Sequence, residues 1–293
     1  MSAIDLSQLP APQVLEDLDY EALYQADLAT FRAHMGDNWS AALESDPVTK
    51  LLEVGAYRKL LNRSRINDAA KALLLAFAQG SDLDQLAANV SLSRLVVQAE
   101  DRTAVPPVPA VLEEDDALRE RVQLVYEGLT TAGPRNSYIL HARNASGLVA
   151  DATAESPSPA VVHVTVLALE GNGTASAELL ATVDAYLSDD DVRPVADRVV
   201  VQSAEILPFQ INAKLYMAST GPESEGVLEQ CRARLTAWMN PRRRLGVEVA
   251  RSAVDAQLHI DGVRRVELIG WSDIRPSKSQ AAWCTGITVE RGD

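Results

Sequence analysis

The chain has 293 residues, 47% of them apolar, with a formal net charge of −14 and a pI near 4.8. That content supports a buried core and, at ordinary domain size, two or three domains, which excludes a disordered linker. The acidic balance argues against wrapping nucleic acid, where lysine and arginine must dominate the contact face, and the longest apolar run, Ala72 to Ala78, falls far short of the roughly 20 residues of a membrane span.

The N-terminal stretch MSAIDLSQLPAPQ places an aspartate and two prolines where a secretory signal would have basic residues and then an apolar core, so the chain is expected to be made and assembled in the cytosol. From Pro12 to about Ala33, Leu15, Leu18, Ala22 and Leu23 recur at helical spacing. A second helix opens with Asp46 as cap and Pro47 as first residue. It runs through Val48, Leu51, Leu52, Ala56 and Leu60 to Ile66, Ala70, Leu73, Leu74 and Phe77 before Gly80. Unbroken, it would be about 50 Å long, too long for a small domain to cover on all sides, so part of it is expected on another chain, with Leu52, Ala56 and Leu60 as candidate contacts.

Ser81 to Val90 reads as one more short helix. Pro106, Pro107 and Pro109 then favour a stiff, extended connector and place a domain boundary near residues 101 to 112. Glu113, Glu114, Asp115 and Asp116 open a new helix, where four carboxylates meet the positive end of the macrodipole. Capping and solvation account for them, since the oxygen spacing of a calcium loop is missing. A further helix is expected from Pro134 to Ala145.

Beyond Ser156-Pro157-Ser158-Pro159 the period becomes two, with Val162, Val164 and Val166 on one face of a strand. Gly171-Asn172-Gly173 turns into a helix through Leu179, Leu180, Val183 and Leu187, and Arg198 to Ser203 returns as a strand. The order repeats: a strand through Phe209, Ile211, Ala213, Leu215 and Met217, a helix from Gly221-Pro222-Glu223 to Asn240-Pro241, and another from Val247 to Leu258. A strand from Val263 to Ile269 and an edge strand from Trp283 to Val289 follow. The expected fold class is α+β, a helical bundle-forming region followed by small α/β modules of strand-helix-strand order. The expected division is 1–100 helical, 101–158 connector and helical segment, 159–205 first module, and 206–293 second module, the last self-associating.

Chemistry is sparse. His34, His141, His163 and His259 form no HxxxH or HxH pattern, and Cys231 and Cys284 lack zinc spacing and read as buried thiols. No GxSxG elbow or phosphate loop occurs, and Gly171-x-Gly173 lacks the third glycine of a dinucleotide loop. No catalytic, cofactor or metal residue is assigned. Asp189, Asp190 and Asp191 follow a helix, where negative charge opposes the dipole, with Arg193 and Arg198 nearby. An exposed loop explains them, and an inter-subunit salt bridge is the alternative. Arg242, Arg243 and Arg244 suit a helix C-terminal end or, alternatively, a docking patch for acidic neighbours.

Seven segments carry a family resemblance. They are IDLSQLPAP at Ile4 to Pro12, KLLEVGAYRKLL at Lys50 to Leu61, SDLDQLAANV at Ser81 to Val90, SPSPA at Ser156 to Ala160, DVRPVADRVVVQSA at Asp191 to Ala204, GPESE at Gly221 to Glu225 and GVRRVEL at Gly262 to Leu268. In this order they resemble the baseplate J-like proteins, wedge components of contractile phage tails and R-type bacteriocins. The resemblance implies a structural role, with no cofactor, in a baseplate assembled in the bacterial cytoplasm. It implies as partners other copies of the chain, a tail protein I-like wedge protein, and neighbouring hub and sheath proteins, with wedges joined in a ring whose rearrangement starts sheath contraction. Neither nucleic acid nor membrane is an expected partner. The alternative is a cytosolic hydrolase or transferase with an acidic site assembled from scattered residues.

Overall fold

The computed structural model describes residues 6, 9–10, 12–36, 43–129, 133–218, 221, 223–240 and 243–292. The chain forms two compact units, Met1–Ser93 and Arg94–Asp293.

The first unit is helical. Helix α1, Tyr20–Met35, starts where the Asp19 carboxylate accepts the Ala22 N–H at 3.0 Å and ends at Gly36, whose φ of +58° closes the helix. Helix α2, Pro47–Ala72, is capped by Asp46, which accepts the Val48 N–H at 2.8 Å. At 26 residues it is about 39 Å long, shorter than the continuous helix expected from the sequence. After Ala72 the bonds tighten, with Leu74 N–H on Lys71 and Phe77 N–H on Leu74, so the apolar run to Ala78 folds back as turns. Helix α3, Gly80–Ala88, buries Leu83 and Ala87.

Helix α1 packs on the side of α2 that carries Ala56, which is fully buried. Asn67, also on that side and 6% exposed, accepts the Glu16 N–H at 2.9 Å and donates to the Glu16 carbonyl at 2.8 Å. A buried amide thus finds two backbone partners and fixes the segment before α1 on α2.

The second unit opens with β1, Val96–Gln98, antiparallel to β2, Val111–Leu112. Where the prolines favour an extended connector, the chain turns back on itself: Asp101 and Val108 exchange both backbone hydrogen bonds at 2.9 Å, and the Asp101 carboxylate accepts the N–H groups of Thr103 and Ala104. Helix α4, Asp115–Leu124, a short 3-10 turn at Val125–Leu129, and α5, Arg135–Ala145, follow.

Strand β3, Val149–Ser158, is an element that the change of period does not announce, because its inward positions hold alanine. Ala152 and Ala154 are buried opposite Val166 and Val164 of β4, Val161–Ala168. Helix α6, Ala177–Leu187, then crosses over to β5, Arg198–Ser203, which lies parallel to β4. Sheet order is β3-β4-β5, with α5 and α6 closing a core of Tyr138, Val164, Val166, Val183 and Leu187.

Strand β6, Glu205–Met217, continues β5 after Ala204, so one extended segment leaves the first sheet and enters the second. Ala204 is buried and donates its N–H to Val166, whereas Glu205 donates to Ser279. The second sheet has β6 in the centre, antiparallel to β7, Val263–Leu268, and parallel to β8, Gln280–Arg291. Helices α7, Glu223–Met239, and α8, Arg251–Leu258, bury Cys231, Leu235, Val254 and Leu258 against it. The expected α+β class is observed, and the two helices expected between the strands of the second module connect the antiparallel neighbours β6 and β7. The outer edge of β8 is covered: the Asn240 side chain donates to the Cys284 carbonyl at 3.1 Å and accepts its N–H at 3.2 Å, and Arg232 donates to the Val289 carbonyl. A side chain that imitates a neighbouring strand leaves little there for edge pairing.

Candidate functional site

The residues singled out as contacts separate into two groups. Leu52 and Leu60 are half-buried beside the buried Ala56, on the α1 side of α2. The opposite side of α2 is apolar as well and lies open: Leu51 is 71% exposed, Val54 48% and Leu61 50%. Arg58 and Arg65 are exposed on the same stripe. The sequence pattern holds two apolar faces on one helix, and only the packing of α1 shows which one is used internally.

Arg193 lies half-buried in the loop after α6, and Arg198 opens β5 as an exposed residue. Arg242 lies outside the described residues. The loop that holds Arg193 is pinned at Asp197, whose carboxylate accepts the Tyr138 hydroxyl at 2.5 Å. Arg243 and Arg244 are at the other end of the first sheet, about 20 Å along β5 from Arg198. Arg243 donates to the carbonyls of Ala168 and Leu169 at 3.2 and 2.7 Å, and its guanidinium stacks 4.8 Å from the Trp283 ring centre. Burial, and then the neighbouring charge of Arg244, lower the Arg243 pKa.

Arg244 reaches Glu120 at 3.2 Å, and Arg143 reaches the other oxygen of the same carboxylate at 2.7 Å. Asp151 of β3 accepts the Leu245 N–H at 2.9 Å. Arg243 and Arg244 therefore act inside the chain, holding the segment between α7 and α8 against α4, α5 and the end of β4. Sequence reasoning missed Glu120, Asp151 and Trp283, since contacts between residues 40 to 124 positions apart leave no local period.

Burial raises the Asp151 carboxyl pKa, and the N–H of Leu245, then Arg244, Arg143 and the N–H of Ala152, pull it back down. A raised folded value means that the folded chain binds the proton better than the unfolded one, so this group withdraws stability as pH rises from the ordinary carboxylate value through the folded one. An Asp151→Asn variant, which keeps the acceptor oxygen, should gain on the parent in melting temperature as pH rises above the ordinary carboxylate range of about 4. A parent that instead gains on the variant over that range would contradict the assignment.

Among the described residues no group of three or more His, Cys, Asp or Glu is placed to hold a metal ion, and no helix is long and apolar enough to cross a membrane. Comparison with known proteins points elsewhere than to chemistry. Residues 44–101 match the family model of the Baseplate J-like N-terminal domain, and residues 130–203 match that of the Baseplate J-like central domain. Over 299 aligned residues the chain is 46% identical to baseplate protein J of Escherichia phage P2, an alignment that takes in 100% of this chain and 99% of that protein.

Proposed function

The chain belongs to the baseplate J-like family, and from this premise we propose that it is a structural component of the baseplate of a contractile tail, which it joins to other baseplate proteins. The full-length likeness to baseplate protein J carries the reading. In finer terms, the chain serves in the wedge without a catalytic role, joins wedges into a ring around the hub, and takes part in the rearrangement that starts sheath contraction. Its partners are other copies of itself, a tail protein I-like wedge protein, and neighbouring hub and sheath proteins, met during assembly in the bacterial cytoplasm. Nothing in the likenesses supports a hydrolase or transferase.

The division of labour follows the two compact units. Residues 1 to about 100 bundle with partner helices, which the open side of α2 supports. Residues from about 160 to 293 pair with another copy. The strand shared by two sheets and the internal use of Arg243 and Arg244 support a rigid body for that contact, since small sheets with packed helices transmit force only when their joint is closed.

Light scattering after size-exclusion chromatography tests this, on the protein alone and after co-expression with the products of its neighbouring genes. A complex of defined stoichiometry is expected. Removal of residues 1–93 should abolish the partner and leave self-association. Retention of the partner by the truncated chain would refute the division of labour, and a monomer indifferent to every tail protein would refute the role itself.

A further inference from the structure

We propose that residues 243–245 form a releasable latch, which holds the two sheets of the second unit in one pose and, when it opens, lets them turn about Ala204. The inference goes beyond the baseplate reading above and rests on it only for the use that an assembled tail makes of the turn.

The backbone itself marks the pivot. Up to Ala204 the extended segment bonds to the first sheet, with the Ala204 N–H on the Val166 carbonyl at 2.9 Å, and from Glu205 it bonds to the second, with its N–H on the Ser279 carbonyl at 3.0 Å. Apolar contact across the joint is small. Among the described residues thirteen buried side chains close the first core and fourteen the second, whereas four, Leu167, Ala204, Leu245 and Ala281, form the joint, and two of these are alanines. Modules of one chain move relative to each other unless the surface between them is large and apolar.

Polar contacts from one short segment therefore hold the pose. Gly246 anchors that segment to the second sheet, where its N–H donates to the Gln280 carbonyl at 2.9 Å. Toward the first sheet, Leu245 donates its N–H to Asp151 at 2.9 Å, Arg244 pairs with Glu120 at 3.2 Å, and Arg243 donates to the carbonyls of Ala168 and Leu169 while its guanidinium lies on Trp283. The Arg243 guanidinium is the least satisfied of these groups. It pairs with no carboxylate among the described residues, and its Nε is buried without an acceptor there. The two acids of the joint, Glu120 and Asp151, act on Arg143 and Arg244 instead.

A cation withdrawn from water, with two carbonyls and a ring in place of a counter-charge, is costly to hold there. Opening returns it to full hydration. That gain offsets part of the apolar contact that is lost, so the closed and open poses lie near each other in free energy and a modest bias selects between them. The rest of each module does not share this balance, since its sheet is sealed by its own helices. Motion is thus confined to the joint, and the modules turn as rigid bodies.

The test places spin labels at Ala185→Cys of α6 and Ala233→Cys of α7, both exposed, and reads the distance between the modules in the full chain by pulsed electron resonance. Cys231 and Cys284 are buried, and burial raises both thiol pKa values, so neither takes the label. The otherwise unchanged chain should give one dominant distance. Arg243→Ala with Arg244→Ala should raise a second, minor distance at least about tenfold in population, with circular dichroism unchanged. If the double variant does not fold, Arg244→Ala alone, at a side chain 35% exposed, should shift the same two populations in the same direction. In tails assembled with the double variant, spontaneous sheath contraction should be at least about tenfold more frequent. One unchanged distance in the variants overturns the latch, whatever the tails do. A second distance in tails that contract no more often than the parent's overturns its use in the rearrangement. Tails that take up neither parent nor variant chain refute the baseplate reading, while the distances still decide the latch.

Discussion

Replacing Arg121 by methionine should lower the local stability of the second unit by about 3–5 kcal/mol, the cost of leaving one member of a buried ion pair alone. Arg121 and Glu113 meet at 2.5 Å, with side chains only 4% and 6% exposed. Glu113 also accepts the Leu95 N–H at 3.2 Å, and the Arg121 Nε donates to Asn144 at 2.8 Å. With the guanidinium gone, the buried Glu113 carboxylate loses its ion-pair partner and keeps the Leu95 N–H as a donor. The pair ties the entry strand to α4 and α5, so the loss should concentrate there. Hydrogen exchange of peptides covering residues 95–145 reads it directly and does not require a single unfolding transition for a chain of two units. A double-mutant cycle with Glu113→Gln should show a coupling above about 1 kcal/mol. If Arg121→Met exchanges as slowly as the parent, the pair has no energetic weight and the entry strand is held by other contacts.

The second large effect is expected at the joint between the sheets. Leu167 is fully buried, beside Ala204, Leu245 and Ala281, each from a different segment of the second unit. Leu167→Ala should cost about 2–5 kcal/mol, at the upper part of that range because the surrounding residues are small or fixed by backbone bonds and close poorly over a cavity. Gly173 sits against the same side chain. Its φ is +100°, and a Cβ there would lie 2.6 Å from a Leu167 methyl, so an alanine at Gly173 would not fill the hole without strain. If the joint carries force between subunits, Leu167→Ala should also loosen the ring contact proposed for the two modules. Urea denaturation, followed by tryptophan fluorescence, reads the first effect, and light scattering of the assembled ring reads the second. A variant as stable as the parent would show that the modules are held without this contact.

Much of the architecture is legible in the chain itself. Asp19 and Asp46 cap helices by the local chemistry of a short carboxylate beside free N–H groups. The alternation from Val162 to Val166 and from Phe209 to Met217 marks the two central strands, because one side of each must be apolar. The order of elements and the α+β class follow from such local patterns, and the seven family segments add the baseplate resemblance that composition does not contain. What the local pattern lacks is a signal for β3, whose buried alanines have weak strand preference, and for the return of the proline-rich segment, which depends on the Asp101–Val108 pairing.

The candidate contacts divide along the same line. Sequence establishes that α2 is apolar and basic and that arginines follow α7, since both are properties of neighbouring residues. Only the tertiary structure decides that Ala56 is covered by the chain's own helix while Leu51, Val54 and Leu61 remain open, and that Arg243 and Arg244 are spent on Trp283, Leu169 and Glu120. The physical reason is that helical period shows which residues share a face, whereas burial and pairing depend on which distant segment arrives at that face.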